Sequence, residues 1–232
     1  MAKNEPAAID RSPGGSVSRR ELAVARVLDP ARARAETRIQ RFLDAALELM
    51  NANSGREFTV QEVVERSGQS LRSFYQYFEG KYELLVALFE DSVRSTAATL
   101  RELVAQEADP SARLHRFAVE YYRLCRPAPK VRSAKKGPTA LAQFAQQLLT
   151  EHPQEASRAF TPLLTLLVEL LDEGEQAGVV RPGLPHDRVA GVILQAIMFN
   201  AFTATISGSS AKPTRGDAAE ELWDLLFHGI GS

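Results

Sequence analysis

Apolar residues recur along most of the chain at helical spacing, and no stretch alternates in the manner of a strand. A helix is predicted from Pro30 to about Ala52, with Asp29 as its cap and Pro30 at its first position. Its inward face is Ile39, Phe42, Leu43, Ala46, Leu47 and Met50. Short helical patterns follow at residues 59–67 and 71–78, and a long one from Lys81 to about Glu107. The long helix should extend on the order of 40 Å. Further helices are predicted at residues 110–126, 138–151 and 154–176. The last contains Pro162, which implies a kink or a late start. Residues 189–206 are apolar almost all round, and residues 217–228 close the chain. The fold class that follows is all-α.

The stretch from Thr59 to Lys81 carries the densest local signal. Thr59 with Glu62 three residues later forms a capping box, and Val63 and Val64 supply an inward face. Gly68 ends that helix, and Ser70 caps the next. Phe74 and Phe78, four residues apart, point together into a core. Arg72, Ser73, Gln76 and Tyr77 are then outward, with Tyr75 near the boundary. Two short helices joined by a glycine turn make a helix-turn-helix, whose second helix can lie in a DNA major groove.

The order Phe58-Thr59, Val63-Val64, Ser67-Gly68, Ser70, Phe74-Tyr75, Tyr77-Phe78 and Gly80-Lys81 resembles the amino-terminal domain of TetR-type repressors. The resemblance covers roughly residues 38–89. Beyond that it rests on length and helical character. It implies an amino-terminal arm (1–29), a helix-turn-helix domain (30–81) and a helical effector-binding and dimerisation domain (82–232). It also implies a homodimer that acts as a repressor, released from a palindromic operator by a small apolar or amphipathic effector. This chain has Leu71 where the family often has a basic residue, and Arg72 where it often has a small one.

Charge changes this picture little. The net charge of −1 argues nothing for nucleic acid. Residues 1–81 hold 13 Lys plus Arg against 11 Asp plus Glu, a balance of +2, and the remainder carries −3. That asymmetry has the sign a DNA-binding front end needs. One cysteine excludes an internal disulfide framework, which suits a reducing, cytoplasmic setting. Residues 1–20 lack the apolar core of a signal peptide. Residues 189–206 are long enough to suggest a membrane span, but Gln195, Asn200, Thr203 and Thr205 weaken it. A helix buried between its own core and a second subunit fits better, so no membrane partner is expected.

The candidate DNA-binding residues are Thr59, Ser70, Leu71, Arg72, Ser73, Tyr75, Gln76, Tyr77 and Lys81. Arg72 can bond guanine bidentately and Gln76 adenine. The tyrosines suit phosphates and thymine methyls. Lys81 is a phosphate anchor by its charge and by the resemblance. Arg34, Arg38 and Arg41 share a helix face, either solvated or lying along phosphates.

The resemblance implies a ligand pocket between the long helix and those after it. Its candidate lining is Phe117, Tyr121, Leu124, Phe144, Leu148, Leu167, Met198, Phe199 and Phe202. Val189, Ile193, Ile197, Trp223, Leu226, Phe227 and Ile230 are the candidate dimer interface. The basic run at 130–136 is either a solvated loop or an anion clamp at the pocket mouth. The four histidines are isolated, so no metal site or cofactor is expected. No nucleophile elbow or phosphate-binding loop occurs, and no enzyme activity is expected. The competing reading is a helical small-molecule-binding protein or enzyme that no longer reads DNA. Acidic or missing residues at positions 72 and 81 would mark it, and Arg72 and Lys81 are present.

Overall fold

Nine helices and no strand are found among the described residues of the structure, a computed structural model that describes residues 19–52, 57–126, 140–206 and 217–230. The helices are α1 (Arg19–Ala52), α2 (Val60–Ser67), α3 (Leu71–Tyr77), α4 (Lys81–Val104) and α5 (Pro110–Cys125). They continue with α6 (Ala140–Glu151), α7 (Pro153–Gln176), α8 (His186–Ile206) and α9 (Ala218–Ile230). Of the expected amino-terminal arm (1–29), residues 1–18 lie outside the described residues, as does the basic run at 130–136, while residues 19–29 belong to α1. The chain divides into two units within α1, between Gln40 and Arg41.

In the first unit the expected break at Asp29–Pro30 does not occur, because α1 runs through Pro30. Proline removes one backbone donor and so one bond of the helix ladder, and Pro30 itself is exposed. Nearby, the Arg34 guanidinium donates to the Pro30 carbonyl at 2.9 Å, and Arg32 pairs with Glu36 at 2.8 Å.

In the second unit an aromatic cluster forms the first core. The Phe42 ring meets Phe74 edge-on at 5.5 Å and Phe78 at 6.1 Å, and Phe74 lies 5.4 Å from Phe78. Leu43, Ala45, Ala46, Leu49 and Met50 complete the buried face of α1. Leu47 was expected there but is exposed. The next positions at helical spacing, 45 and 49, take its place.

The remaining helices share one larger core. α4 packs on α5, α6 and α7, while α7 and α5 pack on α8, and α9 lies on α5. Leu100, Phe117, Leu148, Leu167, Leu171 and Ile197 are among its fully buried side chains. α4 stops at Val104, short of Glu107, and Asp109 caps α5 by accepting from the Ala112 amide at 2.9 Å. Pro162 sits within a helix that extends from Pro153 to Gln176. No helix among the described residues is long and apolar enough to cross a membrane.

Candidate functional site

The first candidate surface is built by caps. The Thr59 hydroxyl accepts from the Glu62 amide at 3.2 Å, and the Glu62 carboxylate accepts from the Thr59 amide at 2.7 Å. Gly68 adopts φ +64°, a left-handed conformation that ends α2 with almost no turn to spare. The Ser70 hydroxyl then accepts from the Ser73 amide at 3.0 Å and starts α3. α3 turns Ser73, Phe74 and Phe78 inward and leaves Leu71, Arg72, Tyr75 and Gln76 exposed.

Two sequence assignments change here. Ser73 is buried at 9% exposure, so it is not an outward residue. Tyr75 is 57% exposed and more prominent than a boundary position, while Tyr77 is half-buried. A helix of seven residues has its phase set by one buried pair, and a rotation of half a residue exchanges 73 for 75. The exposed side chains then form two adjacent i,i+4 pairs, Arg72 with Gln76 and Leu71 with Tyr75. Lys81 opens α4 with its ammonium 3.1 Å from the Glu57 carboxylate and 4.9 Å from the centre of the Phe58 ring. Glu57 was not singled out from the sequence, since it lies before the first cap with no pattern to mark it.

The second candidate is a cavity of about 140 Å³ walled by α4, α5, α6, α7 and α8. Tyr121, Leu124 and Met198 line it. Phe117 and Leu167 instead face a separate void of about 10 Å³ below Trp223 and Leu226. Phe144 and Leu148 are buried in the core and do not line the cavity. Phe199 points away from it at 63% exposure, and the Phe202 side chain lies outside the described residues. Sequence reasoning missed the α4 wall, made by Phe89, Ser92, Val93 and Thr96. The available signal was Ser92 and Thr96, two small polar residues four apart flanking apolar Val93. The Thr96 hydroxyl donates to the Ser92 carbonyl at 2.9 Å. On α5, Tyr121 and Cys125 are hydrogen-bonded. Burial holds the Tyr121 phenol well above its ordinary range and pushes the Cys125 thiol up to about 12.

The interface candidates also divide. Ile193 and Ile197 are buried within this chain's own core, so they are not interface residues. Val189, Trp223 and Leu226 pack partly against the same core, Phe227 is half-buried, and the Ile230 side chain lies outside the described residues. The outward apolar side chains on α8 and α9 are Val192, Phe199 and Leu225.

A capped helix-turn-helix on an aromatic core, followed by a helical bundle with a half-open cavity, fits a DNA-binding transcription regulator that responds to a small ligand. Residues 42–88 match the family of bacterial regulatory proteins called the tetR family. A fatty acid metabolism regulator protein of Bacillus subtilis (strain 168) is 23% identical over 146 residues, which are 61% of this chain and 70% of that protein. The crystal structure of the transcriptional regulator FadR from Bacillus subtilis in complex with stearoyl-CoA superimposes with a TM-score of 0.59. It is 20% identical, and the match covers 82% of this chain and 98% of that one. A TetR family transcription regulator from Marinobacter aquaeolei superimposes with a TM-score of 0.59 at 18% identity, over 87% of this chain and 99% of that one. Residues 42–88 thus carry the tetR-family match, and the chain has the fold of TetR-type regulators.

Proposed function

We propose that the protein is a homodimeric repressor that leaves its operator when an apolar or amphipathic molecule enters the cavity between α4 and α8. One observation carries this reading. α4 has Lys81 at its first residue, beside the helix-turn-helix, and Phe89, Ser92, Val93 and Thr96 two to four turns later on the cavity wall. A ligand that displaces this wall moves the helix that follows the recognition unit. Arg72 and Gln76 read base edges, Leu71 and Tyr75 meet thymine methyls, and Lys81 contacts phosphate. Thr59 and Ser70 serve chiefly as helix caps.

Two recognition helices must sit one DNA turn apart, roughly 34–36 Å, to engage both half-sites. Dimerisation through the outward faces of α8 and α9, at Val192, Phe199 and Leu225, supplies that spacing. The effector lowers operator affinity by the ratio of its affinities for the two spacings. The relative crystallised with stearoyl-CoA supports an effector with an apolar chain.

The test is a footprint on DNA flanking the protein's own gene, followed by titration of the complex with acyl thioesters of stepped chain length. Release at one range of lengths is the expected result. Operator affinity that no apolar or amphipathic compound changes would refute effector-driven release.

A further inference from the structure

The chemistry of the cavity wall narrows what can enter it. Among the described residues, no Lys, Arg, His, Asp or Glu lines the cavity. The polar residues on the wall are gathered on two helices, with Ser92 and Thr96 on α4 and Tyr121 and Cys125 on α5. The rest of the lining is hydrocarbon, aromatic or thioether. A charged group pressed against this wall would lose hydration there without gaining a counterion from the described lining.

The polar groups also have a direction. Thr96 already gives its proton to the Ser92 carbonyl. The Tyr121 phenol, buried at 2% exposure, is held neutral and so keeps its proton at physiological pH. Its partner on the protein is the Cys125 sulfur, a weak acceptor. A carbonyl or ether oxygen is a stronger acceptor, so exchanging sulfur for such an oxygen is favourable for a ligand that brings one. Size sets the last limit. A cavity of 140 Å³ is close to the roughly 150 Å³ that accommodates benzene, so about six non-hydrogen atoms fit.

We infer that the cavity binds an uncharged group of about six non-hydrogen atoms with one acceptor oxygen, an ester, lactone or ketone unit, anchored by the Tyr121 hydroxyl. Any ionised part of the same molecule stays outside, past Leu124, the wall residue that is 47% exposed. This rests on the reading of the cavity as the effector site, and it specifies the chemistry of the part that is buried.

The test uses the full chain and four probes of about six non-hydrogen atoms each, γ-butyrolactone, methyl propanoate, butanoate and benzene, with binding measured by calorimetry. The lactone and the ester should bind at least tenfold more tightly than the carboxylate. In Tyr121→Phe, benzene binding should persist and show that the cavity is intact. The advantage of lactone over benzene should fall by roughly tenfold, the effect of one hydrogen bond. Equal affinity for butanoate and methyl propanoate overturns the inference. So does a lactone preference that survives in Tyr121→Phe, or a failure of all four probes to bind. Operator release is scored separately. Tyr121-dependent lactone binding that leaves the operator complex intact keeps the inference and refutes effector-driven release. Release by acyl thioesters without any lactone binding does the reverse.

Discussion

Glu57 and Lys81 make a test of how the protein engages phosphate. The carboxylate lies 3.1 Å from the Lys81 ammonium and is itself 92% exposed. A DNA phosphate that takes Lys81 must displace Glu57. An exposed pair of this kind contributes about 0.2–1 kcal/mol. Glu57→Gln should therefore tighten DNA binding by roughly 1.4- to 5-fold. The gain should be the same on operator and random duplex, because phosphate contacts carry no sequence information. Lys81→Ala should weaken both duplexes and lower the salt slope by about 0.9 for each subunit's lost phosphate contact. The decisive measurement is the double variant, followed by fluorescence anisotropy of labelled duplexes across a salt series. If Glu57 acts through Lys81, its removal gains nothing once Lys81 is gone. An equal gain in the Lys81→Ala background would show that Glu57 acts only through the general field, and would refute the exchange of partners at Lys81.

Four further outcomes follow from the same geometry. Arg72→Ala and Gln76→Ala should each weaken operator binding by about 1–3 kcal/mol while leaving random duplex nearly unchanged, as read by gel shift. The double variant Val192→Glu, Leu225→Glu should sediment as a monomer at micromolar concentration and lose operator affinity, because two outward apolar positions on the proposed interface become charged. Gly174→Ala should destabilise the chain by about 1–3 kcal/mol in denaturant titrations, despite better helix propensity. Its added Cβ would stand 2.7 Å from a methyl of buried Val180, and Val180→Ala should recover part of the loss. The sole cysteine, Cys125, has a thiol pushed up from 9.0 to about 12, so the folded state disfavours the thiolate until pH approaches that value. Iodoacetamide at pH 8 should modify it about a thousandfold more slowly than in the denatured chain, and a similar rate in both states would refute its burial against Tyr121.

The helix-turn-helix was legible because its determinants are local. A capping box, a glycine with positive φ and an i,i+4 pair of phenylalanines all fall within residues 59–78, each acts over a span of no more than about four or five residues, and each has a sequence signature. What remained unreadable was phase. Ser73 and Tyr75 exchanged places because position on a short helix depends on the angle at which Phe74 and Phe78 meet Phe42, a contact more than 30 residues away in sequence. The same cause explains α8. A helix apolar all round announces that it is covered on both sides but not which side belongs to the chain itself. Packing on α5 and α7 claims Ile193 and Ile197 and leaves Val192 and Phe199 outward. The cavity was hardest to read, because a void is defined by where five helices fail to meet. Its polar members look like ordinary surface residues on α4 and ordinary core residues on α5.

That distribution has a mechanical consequence. Tyr82, one residue after Lys81, donates its hydroxyl to Glu155 at 2.8 Å and lies 6.1 Å from Phe144 and 5.1 Å from His152. Phe144 in turn lies 6.5 Å from Phe89, and Phe89 meets Phe160 at 5.4 Å, both of them on the cavity wall. The start of α4 is thus tied to the α6–α7 corner by the same aromatic chain that borders the cavity. A ligand that shifts Phe89 and Phe160 strains this chain at its other end, beside Lys81. Packed aromatic rings transmit such a shift because close-packed interiors have little room to absorb it. Removing the tether hydroxyl in Tyr82→Phe should leave cavity binding intact and reduce the effect of a bound ligand on operator affinity. The quantity to measure is therefore the ratio of operator affinities with and without ligand, since the tether acts on the coupling between the sites and not on either site alone.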